Sequence, residues 1–178
     1  APTIARGRIV IGATITDNQY WGEPSGVIRA LDAQTGKLAW AYDVGRPDRL
    51  GAPEPGEIYT PATPNAWAQL AYDDALGLVY VPTGNATPDY FGAQRRPFDD
   101  EIASAVMALD IETGRRVWVF RTTYHDVWDY DVASQPVLMD LPRPDGSVIP
   151  VLIQPTKRGE IFMLDRRTGA PVAAVEER

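Results

Sequence analysis

An all-β fold of short antiparallel strands, repeated as units, is predicted by three observations. Apolar runs are brief and punctuated by glycine and proline, which number 15 and 16 in 178 residues. One motif recurs three times along the chain. No segment carries a helical apolar period for more than a turn or two. The hydrophobic share of 44% is that of a chain with a packed core, and residues 1–178 read as one domain-sized segment.

The elements follow in chain order. Residues 8–14 form the first strand candidate. Next comes Ala30-Leu-Asp-Ala-Gln-Thr-Gly-Lys-Leu-Ala-Trp40, echoed by Ala108-Leu-Asp-Ile-Glu-Thr-Gly-Arg-Arg-Val-Trp118. A third copy, Met163-Leu-Asp-Arg-Arg-Thr-Gly169, has Ala173 where tryptophan would fall. Each copy reads as strand, tight turn, strand: Asp bonds the turn backbone, glycine takes the positive-φ position, and the tryptophan packs between neighbouring units. Asp32, Asp110 and Asp165 are 78 and 55 residues apart, so the repeats carry insertions. Residues 68–72, 78–82 and 148–155 supply further strands, and 45–56 and 87–100 are long Pro/Gly/Asp-rich loops of the kind that carry function. Strands repeated in this way suggest β-propeller blades, each about 40–45 residues. The expected fold is therefore three to four four-stranded antiparallel blades, too few to close a ring.

Charge and composition exclude several classes. A net charge of −7 lacks the basic footprint of a nucleic-acid binder, and the pairs Arg95-Arg96 and Arg166-Arg167 read as solvated loop charges. Without cysteine there are no disulfides or thiolate metal sites. No apolar run approaches the roughly 20 residues of a membrane helix, no signal peptide is visible, and the chain opens on Ala1 as an excised piece would.

The densest chemistry lies in Thr123-Tyr-His-Asp-Val-Trp-Asp-Tyr-Asp131, with Thr156-Lys-Arg-Gly159 downstream. On an extended strand, Asp129 and Asp131 would share one face, because side chains alternate with period two. Two such carboxylates can hold a hard cation or take a proton from a hydroxyl. Asn85 and Thr87 in Gly84-Asn-Ala-Thr, and Asp17-Asn18, offer oxygen donors suited to calcium, although as residues alone they are equally turn formers. Trp67 has a face on which a flat ring could stack, or it packs as Trp40 and Trp118 are expected to. The lone histidine, His125, makes no zinc site among carboxylates and reads as an orienting or packing residue.

These motifs together resemble the pyrroloquinoline-quinone (PQQ) dehydrogenases, in particular the membrane-bound glucose and quinate/shikimate enzymes. The Ala-x-Asp-x-x-Thr-Gly-x-x-x-Trp repeat is similar to the tryptophan-docking motif of their eight-bladed propellers. Residues 59–67, 82–92, 125–131 and 156–162 carry the resemblance in family order over nearly the whole chain. The resemblance implies that Trp67 stacks on PQQ, that Asp129 is the general base, and that Lys157 is the cation beside the ortho-quinone. It implies calcium ligands at Asp17, Asn18 and Thr87 by similarity to glucose dehydrogenases, and at Asn85 by similarity to methanol dehydrogenases. Asp131 falls where lanthanide-type methanol dehydrogenases bind their larger ion, but glucose-type enzymes have Asp there too, and a structural or solvent role is expected.

The function so implied is oxidation of a polyol or cyclic hydroxy acid by hydride transfer to PQQ, with quinate or shikimate favoured and glucose next. Electrons would pass to membrane quinone, in the periplasmic domain of a bacterial inner-membrane protein. The rival is a non-catalytic propeller scaffold for protein–protein interaction, which needs the docking tryptophans but has no use for Trp67, Asn85, Asp129 and Lys157 together. As a partial ring, the segment alone is expected to be inactive, to bind PQQ and calcium weakly if at all, and to self-associate through unpaired blade edges.

Overall fold

A computed structural model describes residues 1–16, 18 and 22–175. Three antiparallel sheets follow one another along the chain. The first contains β1 (Thr3–Ala5), β2 (Arg8–Ile11), β3 (Ile28–Asp32) and β4 (Leu38–Tyr42) in sequential order. The second contains β5 (Ala71–Asp73), β6 (Leu78–Pro82), β7 (Ala105–Asp110) and β8 (Arg116–Arg121), again in order. The third has three strands, β9 (Val137–Pro142), β10 (Val148–Pro155) and β11 (Ile161–Asp165). Beyond β11 a single bridge pairs Leu164 with Pro171 where the fourth strand was expected. Proline has no N–H to give to a ladder, which limits pairing there.

The repeated motif forms the hairpins β3–β4 and β7–β8. Asp32 Oδ1 accepts from the Thr35 amide and hydroxyl, both at 2.8 Å. Asp110 Oδ1 does the same for Thr113, at 2.8 and 2.7 Å. Both hairpins shift register at the same place, between Ala30 and Leu31 and between Ala108 and Leu109.

Each tryptophan docks on the next copy of the motif. Trp40 Nε1 donates to the Ile111 carbonyl at 2.7 Å, and Trp118 Nε1 donates to the Arg166 carbonyl at 3.2 Å. The glycine of the receiving copy is required twice over. Gly114 has φ +73°, and a Cβ there would lie 2.6 Å from the Trp40 ring; Gly169 has φ +74° and would meet Trp118 at 2.7 Å. The core accordingly lies between neighbouring sheets: Ile28, Trp40, Val79 and Leu109 fill the first interlayer, and Tyr80, Trp118, Leu152 and Leu164 the second. Sheets stacked face to face in chain order are the blade arrangement expected from the repeat.

Strands β6 and β10 have the expected bounds, whereas β5 begins three residues later than expected and β2 ends three residues earlier. The 87–100 loop contains a 3-10 turn (Gly92–Gln94) and leads into the short helix α1 (Pro97–Ile102), opened by Pro97 and closed on itself by Arg96 and Asp99.

Of the arginine pairs read as solvated loop charges, Arg167 is one, exposed and paired with Asp165 in its own turn, whereas Arg95, Arg96 and Arg166 are not. Arg96 grips both oxygens of buried Asp99 at 2.7 and 2.9 Å and donates to the Pro61 and Ala62 carbonyls. Arg166 bridges the second and third sheets, meeting Asp73 at 2.5 Å and Asp140 at 2.9 Å. A guanidinium holds several acceptors at once in a fixed plane, which suits it to joining backbone segments distant in sequence.

Candidate active site

The site forms where the loop after β8, the β10–β11 turn and the segment after β6 meet. The stretch 123–131 is not the extended strand that alternation implied. Asp129 has φ +63° and His125 φ +46°, so the backbone turns at both. Asp129 and Asp131 nevertheless converge, by loop curvature rather than by strand pleat, on one ammonium group. Lys157 Nζ donates to the Asp129 carbonyl at 2.9 Å, to Asp129 Oδ1 at 3.1 Å and to Asp131 Oδ2 at 3.1 Å. A tight turn presents Lys157: the Gly159 amide, at φ +81°, reaches the Thr156 carbonyl at 3.1 Å.

Asp131 is buried, and its Oδ1 accepts the Asn85 amide at 2.5 Å. A side chain at Gly84 would meet Asp131 Oδ1 at 3.0 Å, Asn65 Nδ2 at 3.1 Å and Trp67 Nε1 at 3.4 Å. Glycine leaves these three groups in place; a side chain there would push them back by a few tenths of an ångström. The Trp67 indole and Asp131 thus lie on either side of Gly84, and the indole is 38% exposed.

Partial burial, joined by the neighbouring charge of Asp131, raises the Asp129 carboxyl above the ordinary carboxylate range despite the bond from Lys157. Burial works against the Lys157 charge, but the bonds to Asp129 and Asp131 outweigh it and hold the ammonium above its usual value. Tyr90 stands in the same field: chiefly the Asp129 charge pushes its exposed phenol upward. Trp128 and Tyr130 stack at 6.0 Å and line an open cavity of about 540 Å³ with Thr123, Tyr124, Arg158 and Glu160. His125 pairs with Asp100 at 3.1 Å, an orienting contact.

The expected cation ligands are scattered in what they do. Thr87 is buried next to the Thr87–Pro88 cis bond, and Asn18 is exposed. Asp17 lies outside the described residues. Asn85 is fully buried, and its carbonyl oxygen accepts from Arg95 Nη1 at 3.0 Å and from the Ala86 amide at 2.8 Å. Both lone pairs of that oxygen are therefore engaged. Among the described residues no group of three or more acidic or histidine side chains is placed to hold a metal. The described donors do not by themselves close a calcium site. For PQQ the fit is better: a half-exposed indole and a carboxylate that holds the Lys157 cation both lie beside Gly84.

Two residues that residue types alone assigned no role organise the loop that carries Asp129. Buried Asp126 accepts the Trp128 and Tyr130 amides, and Arg95 donates to the Asp126 carbonyl at 2.8 Å as well as to Asn85. The Asp-x-Trp spacing is that of a side chain bonding its own backbone two residues on, a signal present in the sequence. Arg95 gives no local signal, because its partners lie 6 to 31 residues away.

Antiparallel sheets stacked in chain order and locked by docked tryptophans are the build of a propeller of the quinoprotein dehydrogenase kind. Residues 1–178 match the family "PQQ: Glucose/ethanol/alcohol dehydrogenase, beta-propeller domain", and the chain belongs to that family. It is 51% identical over 177 residues to the glycerol dehydrogenase large subunit of Gluconobacter oxydans, covering 99% of this chain and 24% of that subunit. It is 43% identical over 178 residues to the quinate/shikimate dehydrogenase (quinone) of Acinetobacter baylyi, covering 100% of this chain and 22% of that enzyme. Among solved structures, a quinohemoprotein alcohol dehydrogenase of Pseudomonas putida HK5 superposes with a TM-score of 0.76 at 28% identity, covering 98% of this chain and 27% of that one. The chain thus spans about a quarter of the length of these relatives.

Proposed function

We propose that the whole protein oxidises a hydroxyl group of a small polyol, with this chain supplying the base, the cation and the stacking face of the PQQ site. The observation that carries the reading is the three-way contact of Lys157 with Asp129 and Asp131, beside the Gly84 segment on which a half-exposed Trp67 also lies. Bound PQQ would supply the two-electron acceptor for the hydride. The residues do the rest. Trp67 offers a planar face, and Lys157 stabilises negative charge that develops beside it. Asp129 accepts the substrate's hydroxyl proton as the carbon–hydrogen bond breaks. Its upward shift suits this, since proton transfer is best when the base is not too weak.

Calcium remains part of the proposal through Asp17, Asn18, Asn85 and Thr87, but no step is assigned to it. Asn85 would have to exchange its Arg95 bond for the ion. Passage of electrons to membrane quinone and a periplasmic location belong to the same proposal. No helix among the described residues is long and apolar enough to cross a membrane.

Residue motifs leaned towards quinate and shikimate. The higher identity to a glycerol dehydrogenase subunit, 51% against 43%, moves the reading towards an acyclic polyol within the same reaction class. The test is dye-linked oxidation by the full-length protein reconstituted with PQQ and calcium, offered glycerol, quinate, shikimate and glucose side by side. Preference for glycerol is expected. Preference for another substrate keeps the mechanism and corrects the pocket, whereas silence on all four with PQQ unbound turns the reading to a scaffold.

A further inference from the structure

Asp129 occupies a backbone region that a residue with a side chain enters only at a cost, φ +63°. Something must hold it there. The Asp126 carboxylate is 1% exposed and accepts three hydrogen bonds. Its Oδ1 takes the Trp128 amide at 2.9 Å, and its Oδ2 takes the Tyr130 amide at 2.8 Å and the Ser104 hydroxyl at 2.5 Å. The two amides belong to the residues on either side of Asp129, so a single carboxylate clamps the chain before and after it. The clamp is itself fixed. Ser104 sits at the foot of β7 and its carbonyl accepts the Thr122 amide and hydroxyl at 3.0 and 2.7 Å. Arg95 ties the Asp126 carbonyl to Asn85, whose amide in turn holds Asp131.

We propose that Asp126 is a positioning residue: its carboxylate locks the left-handed turn at Asp129 and so aims the Asp129 carboxylate at Lys157 and at the substrate hydroxyl. This rests on Asp129 being the proton acceptor. Charge is the right chemistry for the task, because an ionised acceptor binds backbone amides about twice as strongly as a neutral one. Asparagine at 126 would set its NH2 group against one of these donors and open the clamp on that side.

The test uses the full-length, PQQ-loaded protein with Asp126→Asn, Asp126→Glu and, as a control, Asp129→Asn. Bound PQQ is quantified by absorbance, and amide hydrogen exchange is followed across residues 127–131. For Asp126→Asn, kcat per bound PQQ should fall about 10–100-fold, the loss expected when a reacting group moves by about 1 Å. KM should change less than about threefold, PQQ content should hold, and exchange at Trp128 and Tyr130 should accelerate. Asp126→Glu, which keeps the charge, should recover part of the loss. Unchanged kcat per bound PQQ in Asp126→Asn, with Asp129→Asn inactive, overturns the positioning role alone. Near-normal turnover in Asp129→Asn overturns the base assignment and the proposal with it. Should Asp126→Asn not fold, Ser104→Ala removes one of the three bonds and should cost about threefold in kcat per bound PQQ; no loss there overturns the proposal.

Discussion

Lys157 and Asp129 meet twice, through the backbone carbonyl at 2.9 Å and through Oδ1 at 3.1 Å, although 28 residues separate them. A lysine that grips both the side chain and the main chain of a carboxylate residue fixes the direction in which that carboxylate points. The same ammonium reaches Asp131, so one positive charge serves two negative ones. Lys157→Met leaves those carboxylates facing each other, and the PQQ-loaded full-length protein should lose roughly 10²-fold in kcat. Steady-state kinetics normalised to bound PQQ check this.

Tryptophan docking makes two chemically identical glycines unequal. Gly114→Ala places a Cβ 2.6 Å from the Trp40 ring at φ +73°, whereas Gly36 has φ +68° with open space around it. Gly36→Ala should cost about 1 kcal/mol from backbone strain alone, and Gly114→Ala about 3 kcal/mol or more once overpacking is added. Denaturant unfolding of the two variants side by side measures the difference.

Arg166 joins two sheets through Asp73, whose side chain is only 6% exposed. Arg166→Met leaves that carboxylate buried without its guanidinium, a change worth about 3–5 kcal/mol. Pairing it with Asp73→Leu should recover most of the loss. A double-mutant cycle by chemical denaturation reads the coupling directly.

Acid should weaken the turns. Bonds from Thr35 hold the Asp32 carboxyl below its ordinary value, and bonds from Arg167 do the same for Asp165. A carboxyl depressed in the folded state adds stability that is present above the unfolded pKa, about 3.9, and is lost as pH falls through the folded value. The melting temperature should therefore drop below about pH 4. It should drop less steeply in Asp32→Asn and Asp165→Asn, which no longer titrate there; thermal melts between neutral and acid pH decide it.

What could be read from residues alone follows the range of the interactions. The Asp-x-x-Thr-Gly turns and their tryptophans were legible because each turn is made within four residues and the motif repeats. Strand β10 was legible for the same reason, as an apolar run bounded by turns. The resemblance singled out Asp129 and Lys157 separately, but their contact, and the place of Asp131 in it, came only with the fold; the strand pleat invoked for the two carboxylates was wrong, since a positive φ at Asp129 leaves no local trace in composition. Arg95, Arg96 and Arg166 looked like surface charge because each also holds groups on other segments, Asp126, Pro61 with Ala62, and Asp73 respectively. Such side chains can be assigned only once the fold brings those segments together.

The most direct measurement is rapid-mixing absorbance of bound cofactor in Asp129→Asn, in the full-length protein loaded with PQQ and calcium and mixed with glycerol. The account predicts normal PQQ content and reduction by substrate slowed by about 10²-fold or more, the lower range of a lost general base. Reduction at the unmodified rate, with PQQ fully bound, would contradict it and remove Asp129 from the chemistry.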